Sequence, residues 1–350
     1  MQWRAFVRLG RPQYLLKSAL LYSLGASVAV HRHHVLDLRW YLFGQLFVSC
    51  GHLMTHYCNE YFDLEADLAN HDRAGVTGGS RILADGLLAP IVSLNAGFIL
   101  LFVCIGLLIG MPSDASRWLC FAVVMVGWFY TAPPFKLNHR GLGELGSTLV
   151  IDLMCPVLAY YLQVRAVEPV LLLVLLPNCI LQYSYMMMMN LCDYEGDRAA
   201  GKRTLVVVIG PERAARLYVA SHALAYLAVV ALWPFGLPGP VALAVVVTLP
   251  ISLWLCRRVW RGEYRAARAK DTIAWSAAAY TTLVAVATCA ALLLDPDVAW
   301  TSHASAGQLL CAAVPAICAA WLARKSWQRR RAGRRAAAAP VTDAPGLPAP

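Results

Sequence analysis

Ten stretches of apolar residues, most of them about as long as a transmembrane helix, occupy most of this chain. They lie at 14–31, 41–58, 91–110, 117–132, 146–164, 169–190, 214–233, 239–256, 272–294 and 305–323. A transmembrane helix needs about 20 mainly apolar residues. Charged residues make up only 14% of the chain, against about 25% in a soluble domain. The sequence therefore predicts an all-α, polytopic membrane protein, a helical bundle of nine to ten transmembrane helices.

The loops differ in their positive charge. All but four of the 30 Lys and Arg residues lie between the N-terminus and Lys17, in the loops after the even-numbered stretches or within one turn of those loops, or in the tail. The exceptions are Arg32, Arg39, Arg117 and Arg165. By the positive-inside rule, the more positive side faces the cytoplasm. We therefore expect an inner-membrane protein with both termini and the even-numbered loops in the cytoplasm, and ten spans rather than nine.

A single transmembrane domain is expected over residues 1–325. Residues 326–350 are basic and rich in Ala and Pro, cannot bury a core, and are expected to form a disordered cytoplasmic tail. The net charge of +10 suits either nucleic acid or an anionic membrane surface. Because the chain is so apolar, the lipid bilayer is the expected partner, and no nucleic-acid partner is expected.

Two acidic motifs with similar spacing follow the second and the sixth apolar stretch. They consist of Asn59, Asp63 and Asp67, and of Asn190, Asp193 and Asp197. Residues three or four apart share one face of a helix, so each Asn is in phase with two carboxylates. Like charges one turn apart repel each other, and the repeated arrangement beside a membrane indicates a bound cation. Oxygen ligands without a nearby set of His and Cys favour Mg²⁺, which usually binds phosphate oxygens as well.

Positively charged residues accompany both motifs. Arg81 follows the first motif, Arg198 and Lys202 follow the second, and Lys136 lies between the fourth and fifth stretches. Carboxylates for a metal ion, together with cationic side chains on the same face, suit a diphosphate. The positive-inside rule alone also accounts for any one of these cations.

Together, these motifs resemble those of the UbiA superfamily of intramembrane prenyltransferases, over roughly residues 11–210. The resemblance rests on the segments Asn59–Asp67, Gly78–Arg81 and Asp193–Thr204. The segment Tyr130–Lys136, followed by Gly141–Glu144, is most similar to the 1,4-dihydroxy-2-naphthoate (menaquinone) and chlorophyll synthase branches. Glu60 stands where the family commonly has Asp.

The resemblance implies two quasi-repeated four-helix bundles around a central cavity that opens to lipid, with a cytoplasmic cap over the aspartates. The sequence agrees with such a repeat, since both motifs follow the second span of a group of four. Repeats of this kind place binding sites at their interface.

The resemblance also implies Mg²⁺-dependent transfer of a prenyl group from an isoprenoid diphosphate to a lipophilic or aromatic acceptor such as a quinone precursor, with release of diphosphate. The metal ligands are then Asp63, Asp67, Asp193 and Asp197. The residues that bind substrate are Asn59, Arg81, Asn190, Arg198 and Lys202. The catalytic residues are Asp193 as the general base, Lys136 beside the leaving diphosphate and Tyr130 beside the allylic cation.

Polar residues inside the apolar stretches are further candidates. Asp152 lies in the fifth stretch, where a charge is costly and therefore marks a candidate for function. We expect it to bind the acceptor or to pair with a neighbouring polar side chain. His52 and His56 are in phase with Asn59 and Asp63, and we expect them to face the interior of the bundle.

Two other functions remain open from the sequence. A UbiA-type membrane terpene cyclase would ionise the same diphosphate without an acceptor. A secondary transporter would also have repeated bundles and buried carboxylates, but it has no evident need of arginines beside paired acidic motifs. Transport predicts ion-coupled flux without release of diphosphate.

Overall fold

The computed structural model describes residues 2–70, 75, 77, 79–296, 298 and 306–338. The α-helices are α1 (Gln2–Leu9), α2 (Leu15–His33), α3 (Leu38–Phe62), α4 (Leu64–Ala69), α5 (Pro90–Ile109), α6 (Asp114–Phe129), α7 (Gly143–Thr148), α8 (Cys155–Val164), α9 (Pro169–Ala199), α10 (Leu205–Ile209), α11 (Pro211–Leu232), α12 (Gly239–Val246), α13 (Leu249–Trp260), α14 (Ala267–Leu293) and α15 (Ala306–Ala338). A π-helical turn at Leu149–Met154 joins α7 to α8. Within the described residues there is no β-strand. The predicted all-α fold is confirmed.

Each of the ten apolar stretches coincides with one helix or with two consecutive helices. Within the described residues, six helical segments are long and apolar enough to cross a membrane: Pro90–Ile109, Gly143–Val164, Pro169–Ala199, Pro211–Phe235, Ala269–Leu293 and Ala306–Arg331. The bent pair of α12 and α13 makes a seventh if it forms one span. These segments are those of an integral membrane protein, whereas the count of nine to ten spans remains a prediction.

The two largest clusters of buried apolar side chains share α2, α8, α14 and α15. One cluster joins these helices to α9, α11, α12 and α13, and the other joins them to α3, α5 and α6. Helices α2 and α8 pack very closely at Gly25, where a Cβ would lie 1.9 Å from the carbonyl oxygen of Pro156. Two clusters are compatible with two four-helix bundles, but the repeat itself remains a prediction.

Helices α3 and α9 carry the two acidic motifs. At the end of α3, the backbone N–H of Asp63 donates to the carbonyl oxygen of Asn59 at 2.9 Å, and the chain then continues into α4. Helix α9 has 31 residues and is therefore about 46 Å long, at 1.5 Å per residue. It extends beyond its apolar segment and holds Asp193 and Asp197 in its last turns. Both motifs are thus carried by helix ends.

The C-terminal tail differs from the sequence prediction. Residues 326–338, which were predicted to be disordered, continue α15 as a helix to Ala338. This part of the tail is rich in Ala and Arg, which are strong helix formers. Arg329 also anchors the helix, because its Nη1 donates to Oδ2 of Asp271 at 2.6 Å and its guanidinium lies over the ring of Trp275. Residues 339–350 of the predicted tail lie outside the described residues.

Candidate active site

A cavity of about 260 Å³ lies among the helices, and it is lined by residues of both acidic motifs. The predicted site residues that line it are Asn59, Asp63, Asp67, Tyr130, Asp193, Asp197 and Lys202. Apolar side chains, including Val123, Val126, Ile151, Met186 and Met189, line other parts of the wall. The cavity therefore joins a carboxylate-rich end to an apolar interior.

Lys202 connects the two motifs directly. Its Nζ lies 3.1 Å from Oδ2 of Asp63 and 3.6 Å from Oδ1 of Asp197. A turn after α9 brings the lysine back, because its backbone N–H donates to the carbonyl oxygen of Asp197 at 2.8 Å and Gly201 adopts a φ of +69°. Glycine reaches such positive φ values without steric cost. One ammonium group thus bridges a carboxylate from each half of the chain.

The partners of Asp63 stabilise its charged form. Besides the lysine, Nε2 of His139 lies 3.2 Å from Oδ1, and Nδ2 of Asn138 donates to Oδ2 at 3.1 Å. Burial alone would raise the pKa of Asp63, but Lys202 and His139 lower it to about 2. Burial alone would lower the pKa of Lys202, but Asp63 and Asp197 raise it above its usual value. Asp63 and Lys202 are therefore both charged at neutral pH.

Asp193 accepts two side-chain hydrogen bonds at the same end of the cavity. Nδ2 of Asn70 and Oγ1 of Thr77 donate to its Oδ1 at 2.8 and 2.7 Å. Asn70 reaches α9 because Gly196 leaves room for it: a Cβ at Gly196 would lie 2.6 Å from Cβ of Asn70. The segment that follows α4 therefore contacts the second acidic motif.

Asp67 lies against the backbone of Gly79. A Cβ at Gly79 would lie 1.9 Å from Oδ2 of Asp67, and the φ of Gly79 is +69°, so this position favours glycine. Burial and the nearby charge of Glu60 raise the pKa of Asp67 to about 7. A cation beside Asp67 would favour its charged form.

Tyr130 follows α6 and lines the cavity near the lysine and the carboxylates. It presents the aromatic ring of a neutral phenol to the cavity.

Glu60 belongs to a buried network beside the cavity. It is 2% exposed, forms a salt bridge with Arg11, and accepts hydrogen bonds from the backbone N–H and the hydroxyl of Ser80 at 2.7 and 2.6 Å. Arg11 lines the cavity, and its Nε is buried with no hydrogen-bond partner among the described residues. The sequence did not identify Arg11 as a site residue, because the positive-inside rule already accounts for a cation before the first apolar stretch.

We expect Glu60→Gln to destabilise the protein. Glutamine keeps the size of the side chain but leaves the Arg11 guanidinium without its counter-charge. Removing one partner of a buried ion pair usually costs about 3–5 kcal/mol. Because Arg11 is 21% exposed, we expect a cost at the lower end of this range, about 3 kcal/mol. Thermal unfolding in detergent measures the effect, with the exposed Glu65→Gln on α4 as the control. Equal unfolding midpoints for the two variants would contradict the proposed ion pair.

Five predicted residues do not line the cavity within the described part of the chain: Arg81, Lys136, Asp152, Asn190 and Arg198. Nδ2 of Asn190 donates to Oε1 of the buried Glu144 at 2.7 Å, so its amide is engaged with α7. Arg198 is exposed, because it lies about 100° around the helix from its neighbour Asp197. The roles of these residues in substrate binding or catalysis remain predictions.

Arg81 holds the chain beside Asp67 and Asp85 instead of lining the cavity. Its Nη1 donates to the carbonyl oxygen of Asp67 at 2.8 Å, and its Nη2 forms a salt bridge with Asp85 at 3.0 Å. Lys136 lies in the turn after α6, where its φ is +43°. The sequence could not separate Lys136 from Lys202, because both are cations in loops next to the motifs.

The oxygen donors at this end fit a hard divalent cation such as Mg²⁺. Oδ2 of Asp197 is buried and has no hydrogen-bond partner among the described residues, and an unsatisfied buried oxygen is costly. Within the described part of the chain, no three His, Cys, Asp or Glu side chains converge as a preformed metal site. The ammonium of Lys202 lies between Asp63 and Asp197. That position already stabilises positive charge, which is what a metal site requires.

Comparison with known proteins gives consistent matches. The family model described as "UbiA prenyltransferase family" matches residues 19–278. The 1,4-dihydroxy-2-naphthoate octaprenyltransferase of Bacillus subtilis (strain 168) is 27% identical over 248 residues, which cover 69% of this chain and 78% of that protein. The 2-carboxy-1,4-naphthoquinone phytyltransferase of Synechocystis sp. is 28% identical over 217 residues, which cover 59% of this chain and 66% of that protein.

A solved structure has a similar fold. The structure of a UbiA homolog from Archaeoglobus fulgidus bound to GPP and Mg²⁺ superposes with a TM-score of 0.55 at 16% sequence identity. The superposition covers 82% of this chain and 99% of that chain. The superposition shows the same fold. The family and sequence matches confirm the resemblance predicted from the motifs, including its similarity to the menaquinone and chlorophyll synthase branches.

Proposed function

This chain belongs to the UbiA prenyltransferase family and is a membrane-bound prenyltransferase, and on this basis we propose its reaction in detail. It transfers a prenyl group from an isoprenoid diphosphate to an aromatic quinone precursor and releases diphosphate, with Mg²⁺ as the cofactor. The relatives named as naphthoate octaprenyltransferase and naphthoquinone phytyltransferase support an aromatic acceptor.

The observation that carries this proposal is the division of the cavity. Carboxylates of both motifs and the ammonium of Lys202 lie together where α3 and α9 end, and apolar side chains line the interior. A prenyl diphosphate has the same division, with a charged head and a hydrocarbon tail. The polar end suits the head, and the apolar helix faces suit the tail.

Asp63, Asp67, Asp193 and Asp197 are the residues that would hold Mg²⁺. When bound, Mg²⁺ supplies positive charge that stabilises the diphosphate as a leaving group. The carboxylate oxygens of these four aspartates are the ligand type that Mg²⁺ prefers.

The chain's own cations bind the leaving group. Lys202 and Arg11 line the same cavity and donate hydrogen bonds to the diphosphate oxygens, whose negative charge grows as the bond between C1 and oxygen breaks. The neutral phenol ring of Tyr130 lies beside the allylic cation and stabilises it through its aromatic face. A ring carbon of the acceptor forms the new bond to C1, and Asp193 accepts the proton that this carbon loses.

The arrangement in the membrane is part of the proposal. Ten spans, grouped as two quasi-repeated four-helix bundles with additional helices, place both termini and the carboxylate end of the cavity on the cytoplasmic side of the inner membrane. The uneven distribution of Lys and Arg supports this orientation. Water-soluble Mg²⁺ and diphosphate then reach the site from the cytoplasm.

Diphosphate release from the purified protein tests the reaction. With geranylgeranyl diphosphate and Mg²⁺ we expect release only when 1,4-dihydroxy-2-naphthoate is also present, and we expect EDTA to abolish it. Release that does not depend on the acceptor would contradict the transferase and favour a terpene cyclase. Ion-coupled flux without release from farnesyl, geranylgeranyl or longer donors would favour a transporter.

A further inference from the structure

Lys17, near the start of α2, is a cation that the acidic motifs do not neutralise. Its Nζ donates to Oε1 of Gln182 at 2.7 Å and to Oγ1 of Thr281 at 2.9 Å, and it lies 4.5 Å from the ring centroid of Tyr185. Among the described residues, no carboxylate forms an ion pair with it. Its contacts are therefore neutral groups that orient the ammonium without neutralising its charge.

The side chain of Lys17 is accessible from the cavity. Lys17, Gln182 and Tyr185 all line the cavity that contains the acidic motifs. Gln182 is 2% exposed, and its amide fixes the ammonium at the wall. An ammonium group has three donors, and two of them are accounted for by these hydrogen bonds.

Asp152 lies behind this wall. It is 3% exposed and does not line the cavity within the described residues, although its neighbour Ile151 does. It attracts Lys17 electrostatically without contacting it, and its Oδ2 has no hydrogen-bond partner among the described residues. The sequence singled out the aspartate, but the structure places the lysine, not Asp152, at the cavity surface.

The Lys17 group is well separated from the diphosphate end. On α9, Gln182 precedes Asp193 by eleven residues, which is about 16 Å along the helix. The wall between them includes Ile151 and Met186. The Lys17 group and the diphosphate end are therefore two separate polar positions on the wall of one cavity.

A second polar atom of the cavity wall has no partner. Nδ1 of His52 is buried and has no hydrogen-bond partner among the described residues, and the histidine lines the same cavity. Its ring lies 4.3 Å from that of His56, whose Nδ1 is within 2.8 Å of the carbonyl oxygen of Gly10. A buried nitrogen without a partner in the wall of a cavity is available to a polar substituent of a ligand.

We propose that Lys17 is a specificity-determining residue that binds the carboxylate of the aromatic acceptor, so that an acceptor without a carboxylate binds less tightly. The ammonium donates a charge-assisted hydrogen bond to the carboxylate, and the neighbouring hydroxyl lies toward His52. The proposal rests on the proposed function, because it assigns a residue to acceptor binding in the same cavity. A purely structural lysine would hold α2, α9 and α14 together without distinguishing among ligands.

Ligand binding by the full-length protein in detergent tests this assignment without requiring turnover. The probes are 1-hydroxy-2-naphthoate and 1-naphthol, which differ only in the carboxylate. A hydrogen bond to a charged group contributes about 1.5–3 kcal/mol, so we expect Lys17→Met to weaken naphthoate binding by about 10- to 100-fold. We expect 1-naphthol binding to change by less than about twofold, because Met preserves the apolar volume.

Two variants serve as controls. Lys17→Arg keeps the charge and should retain naphthoate binding within a few-fold, whereas the exposed Lys325→Met on α15 should change neither probe. Unfolding midpoints of all variants establish that they are folded. Equal weakening of both probes by Lys17→Met, unchanged naphthoate binding, or no naphthoate binding by the wild type would overturn the proposal.

The outcomes also separate this inference from the proposed function. Naphthoate binding that depends on Lys17, in a protein that releases no diphosphate, would support the binding site and contradict the transferase. Acceptor-dependent release with unchanged naphthoate binding in Lys17→Met would support the transferase and overturn the Lys17 assignment.

Discussion

Replacing Asp193 with asparagine should lower kcat/KM for the isoprenoid diphosphate by at least about 1,000-fold. The amide still accepts hydrogen bonds from Asn70 and Thr77, which contact Oδ1 of Asp193. It cannot supply negative charge for a cation, and it cannot accept the proton from the acceptor. The measurement is diphosphate release at several donor concentrations, which separates kcat from KM.

The matched control for this variant lies on the same helix. Glu195 is exposed two residues further along α9, so Glu195→Gln removes a neighbouring carboxylate that does not line the cavity. We expect wild-type kinetics for this control. Wild-type rates in Asp193→Asn would show that the Asp193 carboxylate has no role in the reaction and would contradict the proposed mechanism.

Replacing Lys202 with methionine should lower kcat/KM for the diphosphate donor by about 100- to 1,000-fold, the usual cost of removing one preorganised donor. The variant also leaves Asp63 and Asp197 facing each other without the ammonium that bridges them at 3.1 and 3.6 Å. Removing one partner of a buried ion pair costs about 3–5 kcal/mol, so we expect a lower unfolding midpoint. Kinetics measured below that midpoint separate the two effects.

Conservative replacement distinguishes the roles of Lys202. Lys202→Arg keeps the charge and should recover much of the stability, but a planar guanidinium changes the hydrogen-bond geometry and should recover less of the activity. Lys325→Met removes an exposed lysine from α15 and should alter neither quantity. A Lys202→Met variant with wild-type kcat/KM would show that the bridge is not used in catalysis.

Helix periodicity made the central carboxylates predictable. Asp63, Asp67, Asp193 and Asp197 repeat at one-turn spacing at the ends of two apolar stretches, and all four line one cavity. Such spacing fixes which side chains share a helix face, and the repeat along the chain indicates that two helices meet.

The cations were less predictable. Lys136 and Lys202 lie in positively charged loops and Arg198 lies in the last turn of α9. Among these three, only Lys202 lines the cavity. The position of Lys202 depends on a turn at Gly201. The position of Arg11 depends on its salt bridge with Glu60, a residue far away in the sequence. Contacts of this kind depend on the path of the chain and leave no local pattern.

Polar residues of the site also lie on a helix that hydropathy does not identify as a span. Helix α3 carries Gln45, His52, His56 and Asn59, and the last three line the cavity. Polar residues of this kind lower the mean hydropathy of a helix, so α3 does not count among the six apolar segments although it is 25 residues long. Hydropathy alone therefore underestimates helices that enclose a polar site.

The most direct test of the account is to measure both products in the same reaction. Purified protein, Mg²⁺, geranylgeranyl diphosphate and 1,4-dihydroxy-2-naphthoate are incubated together, and prenylated naphthoate and diphosphate are quantified over time. The proposed prenyl transfer predicts that the two products appear in equal amounts and that omitting either substrate abolishes both. Diphosphate released without a prenylated aromatic product would contradict the proposed reaction.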